Sequence, residues 1–328
     1  MSEVFKSILL LALPASGKSE VRKFLSKNDA QKMQKDFHMG SLIQLDDFPY
    51  VHLMRRIDEE LKTFGSDYVF FHSPDKPFRE KETWSVLIHL LNEDYEDIIN
   101  GNYAIPHQPV EYYLKRIDKA RKKEGLKELF FNDDKPIIQK DLLNILKDKL
   151  QNDSVKLIKE KNNEIPVELE GKTIIIEFAR GGAQNSQMPL SFGYESAFKA
   201  LNKDILKNSV LLYIWVTPEE SRKKNFERDD PNDPGSILMH SVPIEVMLNE
   251  YGCDDMEFII NKSEKPGYVK VESDNETIYL PVEKFDNRVD KTSFVRSDNW
   301  DEEKRNELYN SLKNITGKLF ERYNHQIK

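Results

Sequence analysis

Gly17-Lys18-Ser19 is the tripeptide whose residue types and surroundings specify a chemistry. An apolar run, Ile8–Leu13, reaches it through the turn Pro14-Ala15-Ser16, and Glu20-Val21-Arg22-Lys23-Phe24-Leu25 follows with helical character. The order is strand, loop, helix. Such a loop offers backbone N–H groups and a helix N-terminus to anionic phosphates. On this reading Pro14, Ala15, Ser16, Gly17, Lys18, Ser19 and Glu20 line a nucleotide's phosphates. Gly17 lets the backbone come close, Lys18 faces the β- and γ-phosphates, and the Ser19 hydroxyl holds Mg²⁺. The spacing fits the Walker A pattern G-x-x-x-x-G-K-[ST], with Ala12 in place of the first glycine. Alanine is the smallest residue with a Cβ and suits that position if the local angles stay near the β region. A chance G-K-S and a secretory leader are the competing readings. The position between strand and helix argues against chance. Glu3 in the leading segment, and Leu13 at position −3 from a cut after Ala15, argue against a leader.

Composition narrows the partners. The chain has 328 residues, enough for one elaborated domain or two small ones. Its net charge of −8 argues against broad, non-specific nucleic-acid binding. Cys253 is the sole cysteine, so no intramolecular disulfide can form, which favours a reducing, cytoplasmic setting. No apolar run approaches membrane-spanning length. The seven histidines show no metal-ligand spacing. No internal repeat is evident.

The elements that must position the loop follow from short apolar runs. Ile8–Leu13, Leu42–Leu45, Thr173–Phe178 and Val210–Val216 read as buried parallel strands, with Phe258–Asn261 a fifth candidate and Asp67–Phe71 a weaker sixth. Helical patterns lie between them at Lys18–Ser26, Val51–Thr63, Ser191–Leu206 and Pro218–Arg228. This alternation predicts an α/β fold with helices on both faces of a parallel sheet. Residues 73–165 break the rhythm as a charged helical insertion, with helices over Arg79–Ile99, Val110–Glu124 and Lys140–Lys161. Tyr268–Val271 and Thr277–Val282 predict a hairpin, and Asp301–Gln326 a helix with Leu308, Leu312, Ile315 and Leu319 on one face.

Asp46-Asp47-Phe48-Pro49 ends the second strand, where ligands bind in open parallel sheets. Here the sequence resembles the P-loop small-molecule kinases, particularly the uridine kinase and nicotinamide riboside kinase group, which carries Asp-Asp-Phe or Asp-Ser-Phe at this place. The resemblance implies that Asp46 or Asp47 takes the acceptor hydroxyl's proton or orients Mg²⁺. Asp47 would also serve as a helix cap, with Pro49 in the first turn. Arg55 and Arg56 follow as acceptor-binding or solvated side chains. Thr173–Phe178 has the form of a Walker B strand, delivering Glu177 to the metal's water shell or the attacking group. Arg180 then faces phosphate. The bland alternative pairs Glu177 with Arg180 or Lys18, since a carboxylate in so apolar a run needs a partner.

Thr217-Pro218-Glu219-Glu220 is a helix start. The helix and the turn-rich Asp229–Gly235 after it resemble the lid region of adenylate kinase-like enzymes, which implies charge-neutralising roles for Arg222 and Arg228. A solvated basic face is the alternative. Asn261 resembles the asparagine near the adenine at the end of the last core strand. Asn261-Lys262 also touches the guanine-reading Asn-Lys-x-Asp of GTPases, but Glu264 stands in the last position and no Asp-x-x-Gly follows the third strand.

The resemblance implies a P-loop NTPase three-layer sandwich with a central, mainly parallel sheet, plus a helical insertion. The expected core covers 1–72 and 166–265, with 266–328 as a hairpin and helix packed on it. The expected activity is phosphoryl transfer from ATP·Mg²⁺ to a small-molecule or nucleotide acceptor. A partner-regulated ATPase, a polynucleotide kinase and an inactive nucleotide-binding module are the alternatives.

Overall fold

The computed structural model describes residues 3–132, 136–227, 241–273, 275–297 and 299–326. In chain order the elements are β1 (Ser7–Leu11), α1 (Lys18–Ser26), α2 (Ala30–Phe37), β2 (Ser41–Asp46), α3 (Phe48–Thr63), α4 (Thr83–Asn100), α5 (Pro109–Lys123), α6 (Lys140–Lys149) and α7 (Gln151–Asn163). There follow β3 (Lys172–Phe178), α8 (Tyr194–Ala200), α9 (Lys203–Asn208), β4 (Ser209–Trp215), α10 (Pro218–Phe226), α11 (Ile244–Glu250), α12 (Met256–Lys262), β5 (Tyr268–Ser273), β6 (Glu276–Asp286) and α13 (Glu302–Gln326). Contacts divide the chain into two compact units: Met1–Gln44 with Glu170–Lys328, and Leu45–Leu169. The helical unit therefore begins at Leu45 and takes in α3, rather than beginning at residue 73.

The first unit is an α/β layer structure. Its six-stranded sheet has the order β2-β3-β1-β4-β6-β5. β1 pairs in parallel with β3 and β4, and β4 in parallel with β6; β5 pairs antiparallel with β6. All five residues of β1 are buried, as a central strand covered on both faces requires. On one face Ile8, Leu10, Val210, Leu212 and Ile214 share a core with Val21 and Phe24 of α1 and Leu308, Leu312 and Leu319 of α13. Each such fully buried Leu or Phe contributes about 1.5–3 kcal/mol before chain entropy is charged against it. Phe178 of β3 meets Tyr194 at a tilt, and Tyr194 stacks on Phe198 of α8.

The structure corrects the reading of several segments. Phe258–Asn261 is part of α12, not a strand. Its apolar run is too short for periodicity to separate the two, and Asp254 starts the helix by accepting from the Met256 amide at 3.0 Å. β6 takes the vacant place beside β4, so the hairpin is built into the sheet instead of packing on it. Asp67–Phe71 forms no strand. Ser191–Leu206 breaks at the extended Leu201, and Lys140–Lys161 breaks at Leu150. Among the described residues no helix is long and apolar enough to cross a membrane.

The helical unit repeats itself, which the sequence reading did not find. Pro49, Arg56, Ile57, Asp58, Gly65, Phe70 and Phe71 recur sixty positions on as Pro109, Arg116, Ile117, Asp118, Gly125, Phe130 and Phe131. The structure repeats with them. Asp58 accepts from the amides of Val69, Phe70 and Phe71 at 2.8–3.2 Å, and Asp118 from those of Leu129, Phe130 and Phe131 at 2.7–2.9 Å. Gly65 and Gly125 both take positive φ after the first helix of each copy. Burial pushes both carboxyls above their usual range, against the pull of the amides. The second helices meet the first ones crosswise: Arg116 binds Asp94 at 2.8 Å and Arg56 binds Asp153 at 3.3 Å. The first of these pairs is deeply buried. There Asp94 also accepts from Tyr50 and from Lys161, and burial, which alone would raise its pKa, is outweighed by Arg116 and Lys161. Arg55 reaches the Pro74 carbonyl and lies over the Phe71 ring, so it too serves this unit.

Asp58→Ala and Asp118→Ala should each cost roughly 2–4 kcal/mol in urea unfolding, because each strands three amides. Asp153→Ala, at the more exposed crosswise pair, should cost under about 1 kcal/mol. A neutral Asp118→Ala beside a costly Asp58→Ala would break the equivalence of the two copies.

Candidate functional site

The loop from β1 to α1 is anchored through its carbonyls. The Ala12 carbonyl accepts from Lys18 Nζ at 3.2 Å and from the Tyr194 hydroxyl at 3.0 Å. That of Pro14 accepts from Ser221 Oγ of α10 at 2.7 Å and from Ser16 Oγ at 3.3 Å. That of Ser16 accepts from Asn287 Nδ2 at 2.8 Å. In a trans peptide the following N–H points the opposite way. Fixing these three carbonyls therefore turns the amides of Leu13, Ala15 and Gly17 to the other side of their peptide planes. Ala15 (φ 57°) and Gly17 (φ 108°) are left-handed, the backbone alternation that forms anion-binding concavities. The loop opens onto α1, whose N-terminus has no side-chain cap. Helix N-termini present unpaired amides and a partial positive charge. Lys18 and Ser19 are half-buried there. The arrangement is suited to an anion with several oxygens.

Gly17 is required for a reason the sequence did not disclose. A Cβ there would lie 2.6 Å from Thr292 Oγ1 and 2.9 Å from Asn287 Nδ2. The space saved on glycine is filled by the protein's own C-terminal segment. Ala12 is fully buried in the core beneath the loop, which leaves little room for anything larger.

The site lies at the carboxyl ends of β1 and β3. From β1 the chain runs to β2 on one side, and from β3 it crosses to β4 on the other, which makes the crevice between them a topological switch point. Tyr194 is buried beside it. Burial pushes its phenol well above the usual range, against the pull of the Arg180 amide and guanidinium. Glu177 is buried and its partner is Arg22 of α1, at 2.5 Å, rather than Arg180 or Lys18. Glu20, expected among the phosphate contacts, instead has its carboxylate on Arg296 Nε at 2.8 Å. Arg180 is almost wholly buried, donating to the Ala179 carbonyl and lying 5.2 Å from the centre of the Phe178 ring.

The remaining expected residues belong to other elements. Asp46 and Asp47 belong to the helical unit, where Asp46, not Asp47, accepts from the Phe48 amide at the start of α3. Asn261 is exposed near the end of α12, so it occupies no strand end. Arg228 and the segment 229–235 lie outside the described residues. Thr217 caps α10 as expected. Arg222 on that helix pairs with Glu219 at 3.1 Å, and its Nη1 is buried without a hydrogen-bond partner among the described residues. Lys224 is no surface lysine: it is buried, 3.0 Å from Asp290. Among the described residues no group of three or more His, Cys, Asp or Glu side chains could hold a metal.

Sequence reasoning missed Tyr194, Ser221, Asn287, Thr292 and Arg296. No local signal marks them, since each gains its role from elements distant in the chain. No protein-family model, curated protein or solved structure matches the chain.

Asp254 is half-buried, accepting from the Tyr213 hydroxyl at 2.8 Å, and the desolvation of its carboxyl pushes it up to about 6. The folded state thus holds its proton more tightly than the unfolded chain. Stability attributable to this group is full below about pH 4 and is lost as pH rises through about 6. The unfolding free energy of wild type relative to Asp254→Asn should therefore fall by about 2 kcal/mol between pH 4 and pH 7. A difference that is flat with pH would contradict the assignment.

Proposed function

We propose that the chain binds a nucleoside triphosphate with Mg²⁺ and transfers its terminal phosphoryl group to a small-molecule or nucleotide acceptor, as a P-loop kinase does. The observation that carries this reading is the anchored Leu13–Ser19 loop. Its carbonyls are held back, two of its residues are left-handed, and it feeds an uncapped helix at the sheet's switch point.

Lys18, whose ammonium donates to the Ala12 carbonyl, would exchange that contact for the β- and γ-phosphates. Ser19 sits at the start of α1 where it would hold Mg²⁺, which when bound supplies neutralisation of the phosphate oxygens. Mg²⁺ uses one or two protein ligands beside waters and phosphates, so the Ser19 hydroxyl can hold it without a carboxylate cluster. Glu177, paired with Arg22, would act on the metal's water shell at most. Asp47 or Asp46 would take the proton as the acceptor oxygen bonds to the γ-phosphorus and the β–γ bridging oxygen leaves. Arg222, with its unpartnered nitrogen, is the described arginine best suited to the developing charge. Buried Arg180 is less suited to it.

A second reading, ATP hydrolysis that drives a partner contact, draws support from Ser221. It ties α10 directly to the Pro14 carbonyl, so a change in the loop would reach that helix.

Binding of MgATP should fall at least about 100-fold in Lys18→Ala. ATP consumption, screened with pooled metabolite acceptors, should rise on adding the right acceptor and drop at least about 100-fold in Asp47→Asn. Unchanged MgATP binding by Lys18→Ala would refute the nucleotide site. Full phosphotransfer by Asp47→Asn would remove that residue as the base. Turnover that needs no acceptor would favour the ATPase.

A further inference from the structure

We infer that Asn287 is a positioning residue that sets the direction of the Gly17 amide, with Thr292 as its support; the inference rests on the triphosphate reading of the loop. Asn287 follows β6 directly. Its own amide donates to the Trp215 carbonyl at 2.9 Å, which fixes its backbone to the end of β4. The side chain is fully buried and every polar atom on it is used. Nδ2 donates to the Ser16 carbonyl at 2.8 Å and to Thr292 Oγ1 at 3.0 Å, and Oδ1 accepts from the Lys291 amide at 2.8 Å. Its carbonyl accepts from buried Lys224 at 3.3 Å, and Lys224 is held in turn by Asp290. A side chain satisfied at each atom has one rotamer open to it.

What it holds is the Ser16–Gly17 peptide. That unit runs from the Ser16 Cα to the Cα of left-handed Gly17. Glycine allows such a peptide to rotate at little cost. Asn287 pins the carbonyl side, and the Gly17 N–H is thereby fixed on the opposite side. The same segment grips α1: Arg296 binds Glu20, and the Arg296 carbonyl accepts from Lys23 at 3.3 Å. The stretch from Asn287 to Arg296 thus fixes both the loop and the helix whose amides would meet the phosphates. It touches no phosphate itself and acts through backbone direction.

The test uses the full chain and two probes, MgATP and inorganic tripolyphosphate, in titration calorimetry. Asn287→Leu keeps the size and removes the hydrogen bonds; Thr292→Val removes one hydroxyl, and Thr292→Ser restores it. Asn287→Leu should weaken both probes about tenfold or more and by the same factor, because the lost alignment is toward phosphate. Thr292→Val should follow in the same direction, and Thr292→Ser should return to near the wild-type value. A merely structural role would lower the fraction of active protein, hence the stoichiometry, and leave Kd unchanged; that result overturns the inference. So does unchanged Kd in folded Asn287→Leu, or in Thr292→Val should Asn287→Leu fail to fold. If the wild type takes up neither probe, the triphosphate reading itself has failed and the inference goes with it.

Discussion

The absent side chain of Gly17 is the constraint on which the site depends. Asn287 and Thr292 occupy the volume a Cβ would need, at separations far inside van der Waals contact. The loop after the first strand and the segment after the last strand are therefore one packed object. This couples positions about 270 residues apart in the chain to a single backbone angle. It also explains why the final hairpin belongs inside the sheet: only a strand beside β4 delivers Asn287 beneath Ser16.

Charges around α1 follow one rule. Glu177, Glu20 and Lys224 are each almost wholly buried, and each has a partner from a different element: Arg22, Arg296 and Asp290. Breaking such a pair from one side costs several kcal/mol, because the remaining charge stays in a medium that solvates it poorly. Two carboxylates that invite reading as metal or phosphate ligands are thus committed to holding α1 against β3 and the C-terminal segment. The loop itself contributes smaller groups: its amides, the Ser19 hydroxyl, and the Lys18 ammonium, which donates to the Ala12 carbonyl. In the helical unit a similar economy appears twice, with Asp58 and Asp118 each gathering three amides of an irregular loop. The two crosswise pairs differ in burial. Arg116–Asp94 is a buried network and Arg56–Asp153 a half-exposed pair.

Local chemistry made much of the sheet legible. The runs that became β1 to β4 are short and mostly apolar, a Pro-Ala-Ser-Gly turn leads into α1, and the start of α10 carries its own cap. The strand at 258–261 was misread because three apolar residues fit either period, and the choice fell to Met256 and Ile259 packing as one helical face. The repeat escaped notice because few positions recur and the second copy's second helix is broken at Leu150. The equivalence of the copies lies in two aspartates that bind matching amides.

By itself the sequence determined that a strand, a glycine-lysine-serine loop and a helix follow one another, and that an α/β sheet alternates around them. Those are properties of short stretches: apolar periodicity, a turn, a residue tolerant of positive φ. Tertiary structure alone decided who holds the loop, which carboxylates are spent on ion pairs, and which strand sits beside β4. These outcomes depend on burial and on the partner brought near by folding. A side chain's chemistry does not reveal whether it will find water, a ligand or an opposite charge until the remote segments have packed around it.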